Sequence, residues 1–467
     1  MKEYDLVVVG GGPAGEKAAV KAAYFGYKVA LIEKQAQVGG AGIHTGTLPS
    51  KTLKETAIFF SGKHDKGLYG VDRQFTRTTS VEDFMFRKNF VEKSETEQMT
   101  SNLQKHLVDI FHGTASFEDP HTLKVSGEKE LCLKGDHILI ATGSTPHHPP
   151  GIPFDNKRVH DSDSILTTQR IPKSLCVVGA GVIGCEYATI FSTMGTKVYL
   201  INHSDKILPF LDNEISSALV SNMQEEGIEI LFNTSIERVE SPDSEDLPLR
   251  IPLSSGETLN VDMFLFAAGR QGNTQSLGLE KAGLQATKRG LLEVSPQYQS
   301  SVPHIFAVGD VIGFPALAST SMDQGRVAVT NMFNTGDLDQ VTDIFPYGIY
   351  TIPEVSCVGL SEEAAQKQGI NYEVGRAYYA DLPRGKIMGL DHGMLKLVFH
   401  KESLEILGAH LIGKIASEVV HYGASLVENK KTLKDVISTI FNFPTLHDLY
   451  KYASYDGLGT VKGHRVK

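Results

Sequence analysis

The chain has 467 residues, too many for one compact core, so two to four domains are expected. Its 41% apolar and 21% charged residues are ordinary for a globular protein in water. A net charge of −10 argues against a nucleic-acid or anionic-membrane surface.

No apolar run approaches the length of a bilayer span. The opening "MKEYDLVVVGGG" passes almost directly into a first strand, leaving no room for a signal or transit peptide. Four cysteines (Cys132, Cys176, Cys185, Cys357) do not make a disulfide framework. A cytoplasmic chain is the expectation.

In chain order, the first unit is "DLVVVGGGPAGEKAAVKAAYFGYKVALIEK": a β run, a glycine turn, an Ala-rich helix, and a second β run ending in an acid. Gly10, Gly12 and Gly15 fill G-x-G-x-x-G. The first permits the tight turn, the second the approach of a pyrophosphate, and the third the packing of helix on strand. Glu33, at the end of the second strand, is placed to accept hydrogen bonds from a ribose diol.

"VGGAGIHTGTLPSKTLK" follows at residues 38 to 54, and then a polar stretch, "SVEDFMFRKNFVEKSETEQMTSNLQKHL", that reads as one long helix. "GDHILIATGSTP" closes the unit on a strand running into Ala141, Thr142 and Gly143.

"SLCVVGAGVIGCEYATIFSTMGTKVYLINHSDK" repeats the pattern with Gly179, Gly181 and Gly184. The position equivalent to Glu33 is Asn202. A neutral amide there bonds a 2′-hydroxyl without repelling a 2′-phosphate, and His203 and Lys206 offer positive charge nearby, so both NAD and NADP are expected to bind. Cys176 and Cys185 fall on the strand and helix of this unit as packing residues. Further on, "PHIFAVGDVIGFPALASTSMDQGRVA" sets Gly309 and Asp310 after an apolar strand, where the acid can bond a flavin's ribityl chain and the next helix can point its N-terminus at the ring.

Together and in this order, these segments resemble the flavoprotein pyridine nucleotide-disulfide oxidoreductases over essentially the whole length. The resemblance implies an α/β fold: two Rossmann-like dinucleotide-binding domains and an α+β C-terminal dimerisation domain. The expected division is 1–146 with 276–345 for FAD, 147–275 for NAD(P), and 346–467 for dimerisation, giving a homodimer or larger homo-oligomer.

It also implies one bound FAD per subunit, with Gly39, Gly40 and Gly42 of the loop and Ala318 of "LASTSMDQGR" joining its site. Gly269 and Arg270 of "AAGRQGNT" are expected at the cofactors too. Lys51 and Glu186 resemble the family's ion pair beside flavin N5, where a cation stabilises the charge that develops on reduction. These two are the catalytic candidates.

The thiol enzymes of this family carry two cysteines in the loop, and this chain has Gly42 and Thr47 there. Neither can cycle through a disulfide. Those enzymes also place a His before Pro-Thr and a Glu five positions later; "FNFPTLHDLY" has Phe443 and Asp448. Phenylalanine cannot move a proton, and His447, beside the acid position, is expected to face elsewhere. His44 has no role the sequence explains beyond packing or a polar contact.

With the dithiol machinery gone and the nucleotide machinery kept, the details are similar to the family's soluble transhydrogenase branch. The implied reaction is NADPH + NAD⁺ ⇌ NADP⁺ + NADH through FAD. That branch places an Arg two positions after the Asn, and here Ser204 stands instead, which leaves NADP affinity to His203 and Lys206 or weakens it. Two other readings remain open at the level of sequence: an NAD(P)H-dependent quinone or dye reductase of the same fold, and a non-catalytic flavoprotein subunit.

Overall fold

The structure is a computed structural model and describes residues 2–62, 68, 79–244 and 246–463. Strand Lys2–Val9 lies inside a seven-stranded sheet, parallel to Val29–Glu33 on one side and Leu131–Ile140 on the other. Leu6, Val7, Val8 and Val9 are all buried. A parallel strand covered on both faces has no polar side, which is why "LVVV" does not alternate. Late in the chain, Ile305–Ala307 returns to this sheet and pairs with the end of Leu131–Ile140.

The second sheet has five parallel strands in the order Glu229–Leu231, Lys197–Ile201, Ser174–Val178, Met263–Phe266, Val159–Asp161. Cys176 and Cys185 lie in its core, where burial pushes both thiols up. A third sheet is antiparallel: Tyr347–Ile349, Glu354–Gly359, Ile406–Gly413, Met394–His400 and Tyr372–Tyr378.

The two glycine turns share one design. A Cβ on Gly15 would meet the Gly10 carbonyl at 1.9 Å, and one on Gly184 would meet the Gly179 carbonyl at 1.8 Å. The third glycine of each fingerprint is therefore a packing requirement: it lets the helix start directly on the strand end. The second glycine is different. At Gly12 the nearest neighbour of an added Cβ is Gly40 Cα at 3.7 Å, and at Gly181 nothing lies within 4 Å. Each turn is closed behind and open in front.

The long polar stretch forms helix Val81–Lys105, begun by a capping box. Ser80 Oγ accepts from the Asp83 N–H at 3.2 Å and Asp83 Oδ2 accepts from the Ser80 N–H at 3.0 Å. Among the described residues, no helix is long and apolar enough to cross a membrane.

A buried ionic network ties the second sheet's unit to the third. Lys396, on strand Met394–His400, reaches Glu362 Oε2 at 2.6 Å, Asp212 Oδ1 at 3.0 Å and Glu214 Oε2 at 3.1 Å. Asp212 caps helix Asn213–Glu225, the first helix after the Asn202 loop. Burial lowers the Lys396 ammonium's proton affinity, but the three carboxylates outweigh it and hold the group charged above its ordinary range.

Candidate active site

A cavity of about 1380 Å³ runs from the first glycine turn, past the 40–51 loop, to the start of the third sheet. The loop is two helical pieces, Gly40–His44 and Thr47–Ser61. Thr47 and Ser50 therefore sit in the first turn of the second piece, and Lys51 one residue beyond Ser50. Gly10, Gly12 and Glu33 line the turn end of the cavity, and Gly40 and Gly42 line the loop side. Gly39 lies behind this surface, and its N–H is bonded to the Gly11 carbonyl at 2.8 Å.

Gly42 explains part of the thiol's absence. A Cβ there would meet Pro13 Cγ at 2.6 Å, so the loop packs on the first helix more closely than a cysteine permits without a shift. Among the described residues lining the cavity there is no cysteine. Cys357 lies outside this wall, and burial pushes its thiol up to about 12.

Glu33 is oriented by two backbone donors, Gly11 N–H to Oε2 at 2.8 Å and Gln35 N–H to Oε1 at 2.9 Å. Each oxygen keeps a lone pair for a ligand hydroxyl. At the far wall, Ser144 Oγ donates to Asp310 Oδ2 at 2.8 Å, and Gln324 Oε1 takes the Gly309 N–H at 2.8 Å. Ala318 opens helix Ala318–Phe333, whose first turn also lines the cavity. Unpaired N–H groups and the helix dipole there favour negative charge.

Lys51 and Glu186 meet across 135 residues. Lys51 Nζ lies 2.9 Å from Glu186 Oε1 and 2.7 Å from Oε2. Glu186 is buried and Lys51 keeps 24% side-chain exposure toward the cavity. Two groups the sequence did not single out complete the pair: Ser50 Oγ donates to Oε2 at 3.2 Å, and the Tyr350 N–H donates to Oε1 at 3.0 Å. The Tyr350 ring also lies 5.0 Å from the Lys51 ammonium and 5.7 Å from that of Lys54. Lys54 is in turn bonded to buried Glu354. Tyr350 acts here through its backbone, and a backbone donor's partner is not readable from a side-chain pattern.

Arg270 lines the cavity with its guanidinium already committed. It donates to Ser144 Oγ at 2.9 Å and Ser144 O at 2.8 Å, and pairs with Asp163 at 3.3 Å. Its observed work is to join strand ends Ser144–Pro146 and Arg270–Gly272. Gly269 stays outside the cavity wall.

The second glycine turn opens elsewhere. Asn202 is buried, and its Nδ2 is spent on Ser204 O, Ser204 Oγ and Lys206 O at 3.2, 2.9 and 2.8 Å. Its amide therefore shapes the loop with its donors and leaves Oδ1 as the group available to a ligand. His203 is exposed on that loop, while Lys206 Nζ leans to Asn213 Oδ1 at 3.2 Å.

The remaining candidates lie apart. Phe443 is exposed. His447 packs among the rings of Tyr422, Phe441 and Tyr450, and burial lowers its proton affinity. It does not line the cavity.

Residues 4–325 match the family model described as pyridine nucleotide-disulphide oxidoreductase, and residues 345–454 match the model of that family's dimerisation domain. The chain belongs to the pyridine nucleotide-disulphide oxidoreductases. A relative from Mycobacterium bovis, named soluble pyridine nucleotide transhydrogenase, is 40% identical over 465 residues, covering 99% of this chain and 98% of its own. One of the same name from Pseudomonas savastanoi pv. phaseolicola is 42% identical over 466 residues, covering 98% and 99%.

Among solved structures, the HOCl-induced flavoprotein disulfide reductase RclA from Escherichia coli superposes with a TM-score of 0.86 at 29% identity, over 96% of this chain and 99% of its own. LpdA from Mycobacterium tuberculosis reaches 0.89 at 23% identity over 97% and 99%, a likeness of fold.

This family of oxidoreductases uses FAD and handles nicotinamide dinucleotides. The residues present fit the flavin. Thr142 Oγ1, in the cavity wall, is buried with no partner among the described residues, which costs free energy unless a ligand meets it. Gly12 leaves the front of the turn free, and Glu33 and Asp310 offer oriented acceptors.

Proposed function

We propose that the chain is an FAD-dependent transhydrogenase that moves a hydride reversibly between NADPH and NAD⁺ without a redox-active disulfide. The observation that carries this reading is the cavity itself: the Lys51–Glu186 pair faces it intact, while no cysteine lines it among the described residues. Two relatives of 40% and 42% identity bear the name of that activity. FAD, when bound, supplies the two-electron carrier that accepts a hydride from one nicotinamide and gives it to another.

In this reading Gly12 and the start of helix Pro13–Tyr24 hold the pyrophosphate, Glu33 the adenosine ribose, and Asp310 the ribityl chain. Ser50, Glu186 and the Tyr350 N–H keep Lys51 at the cavity, so that its charge is in place before electrons arrive. The nicotinamide substrates occupy the second unit, with Gly181 open to the pyrophosphate and Asn202 Oδ1 accepting from a ribose 2′-hydroxyl. Asn202 has no free donor for a 2′-phosphate, which leaves that group to exposed His203. The working division is the FAD domain at 1–146 and 276–345, the NAD(P) domain at 147–275 and the dimerisation domain at 346–467, in a cytoplasmic homo-oligomer.

Initial rates with NADPH and a thio-analogue of NAD⁺ test the reading. Reduced analogue should form, and double-reciprocal plots should be parallel, as one site is used in turn. No reduced analogue, with turnover on a quinone instead, would replace transhydrogenation by a reductase. Asn202→Asp is expected to raise the Michaelis constant for NADPH about tenfold, and that for NADH much less, because the new carboxylate repels a phosphate and not a hydroxyl.

A further inference from the structure

We propose that His44 is a positioning residue: a hydrogen-bonded clamp to helix Val81–Lys105 that holds the 38–44 segment against the cofactor cavity. The inference rests on the reading of that cavity as the FAD site. His44 Nδ1 lies 2.8 Å from Glu92 Oε1 and Nε2 lies 2.9 Å from the Val38 carbonyl. A carboxylate and a carbonyl both accept, so the ring bridges an acceptor on the long helix and one on its own segment. Lys88 Nζ, 3.3 Å from Glu92 Oε2, holds the same carboxylate from one turn earlier on the helix.

The clamp closes a circuit around the first glycine turn. Val38 is buried, and the next residue, Gly39, donates its N–H to the Gly11 carbonyl at 2.8 Å. At its other end helix Val81–Lys105 is tied to helix Pro13–Tyr24 by Asn102 Nδ2 donating to Glu16 Oε1. Turn, segment and both helices thus form one closed chain of bonds, and His44 supplies the link between segment and long helix.

The segment has need of such a link. Gly39 and Gly40 have φ of +132° and +52°, and with Gly42 they make three glycines in four positions, a stretch that loses much conformational freedom on ordering. The ring is also seated where only glycine fits beside it: a Cβ on Gly39 would meet His44 Nε2 at 2.8 Å. His44 itself lines the cavity. Loosening it should free the wall the flavin leans on, and leave the distant Asn202 loop as it was.

The test uses the purified holoenzyme and its variants His44→Ala, Glu92→Ala, the double variant, and Glu92→Gln. Flavin release is followed by emission after dilution, beside the Michaelis constant for NADPH. Each alanine variant should release flavin about tenfold faster, and the double variant no faster than either, because both substitutions break one unit. Glu92→Gln, which keeps an acceptor of the same shape without the charge, should fall between. The Michaelis constant should hold within about twofold.

Release unchanged in the single variants, or accelerations that multiply in the double, would overturn the clamp. So would a Michaelis constant rising in step with release, which is general loosening. A wild-type chain that purifies without flavin would overturn the FAD reading, and the clamp with it.

Discussion

Lys51→Met is expected to slow the bleaching of bound flavin by NADPH about 10²–10³-fold, the size of effect seen when one preorganised donor is removed from a developing charge. The substitution removes the cation and leaves its surroundings in place. Glu186 would still accept from Ser50 Oγ and from the Tyr350 N–H, so the cavity keeps its shape. What changes is the sign of the local charge: a balanced pair becomes a lone carboxylate beside a site that must take on electrons.

Because Lys51 is partly exposed and its aliphatic stem is matched by methionine, flavin content should stay near that of the unmodified enzyme. Stopped-flow absorbance under anaerobic conditions, with flavin content measured on the same sample, separates the two effects. A bleaching rate within about threefold of wild type would remove Lys51 from the chemistry.

Lys396→Met should be the costliest change outside the cavity, destabilising the chain by about 3–5 kcal/mol. Lys396 is fully buried and faces Asp212, Glu214 and Glu362. Glu214 has a second cationic partner, Arg376, at 2.7 Å. Removing the ammonium leaves fully buried Asp212 without its lysine partner, the arrangement in which one missing partner costs most.

Burial raises the Asp212 carboxyl, yet the charges of His410 and Lys396 outweigh it and hold it below its ordinary 3.8. Its share of the stability is therefore present above pH 3.8 and lost as pH falls through the folded value. Differential calorimetry should show a large downward shift of Tm for the variant at pH 7. A Tm equal to wild type would mean that the network contributes nothing net.

The parts of this molecule that sequence made legible are those whose chemistry is local. A glycine that must lie under the carbonyl five residues before it leaves its mark at a fixed spacing, and both turns show it: Gly10 with Gly15, Gly179 with Gly184. The long helix was legible too, from its polar pattern. Glu33 and Asp310 could be read as acceptors because each ends a recognisable strand.

Pairings made across the fold were not legible in this way. Lys51 and Glu186 could be joined only through resemblance, since 135 residues separate them. His44 with Glu92, Tyr350 with Glu186 and Lys54 with Glu354 are 48, 164 and 300 positions apart, and neither spacing nor residue type announces such contacts. Asn202 shows a subtler limit. Its neutrality was visible, but the commitment of its amide donors to Ser204 and Lys206 depends on how the loop closes. Arg270 likewise looked like a cofactor ligand, and the structure finds its guanidinium occupied by Ser144 and Asp163.

If hydride passes between nicotinamides with no thiol in between, an anaerobic half-reaction shows it. Limiting NADPH is added to the purified holoenzyme until the flavin absorbance is bleached, and a thio-analogue of NAD⁺ follows, with flavin and analogue watched together. Flavin colour should return in step with one equivalent of reduced analogue per flavin. A bleached flavin that ignores the analogue and recovers only with a quinone or oxygen would contradict it.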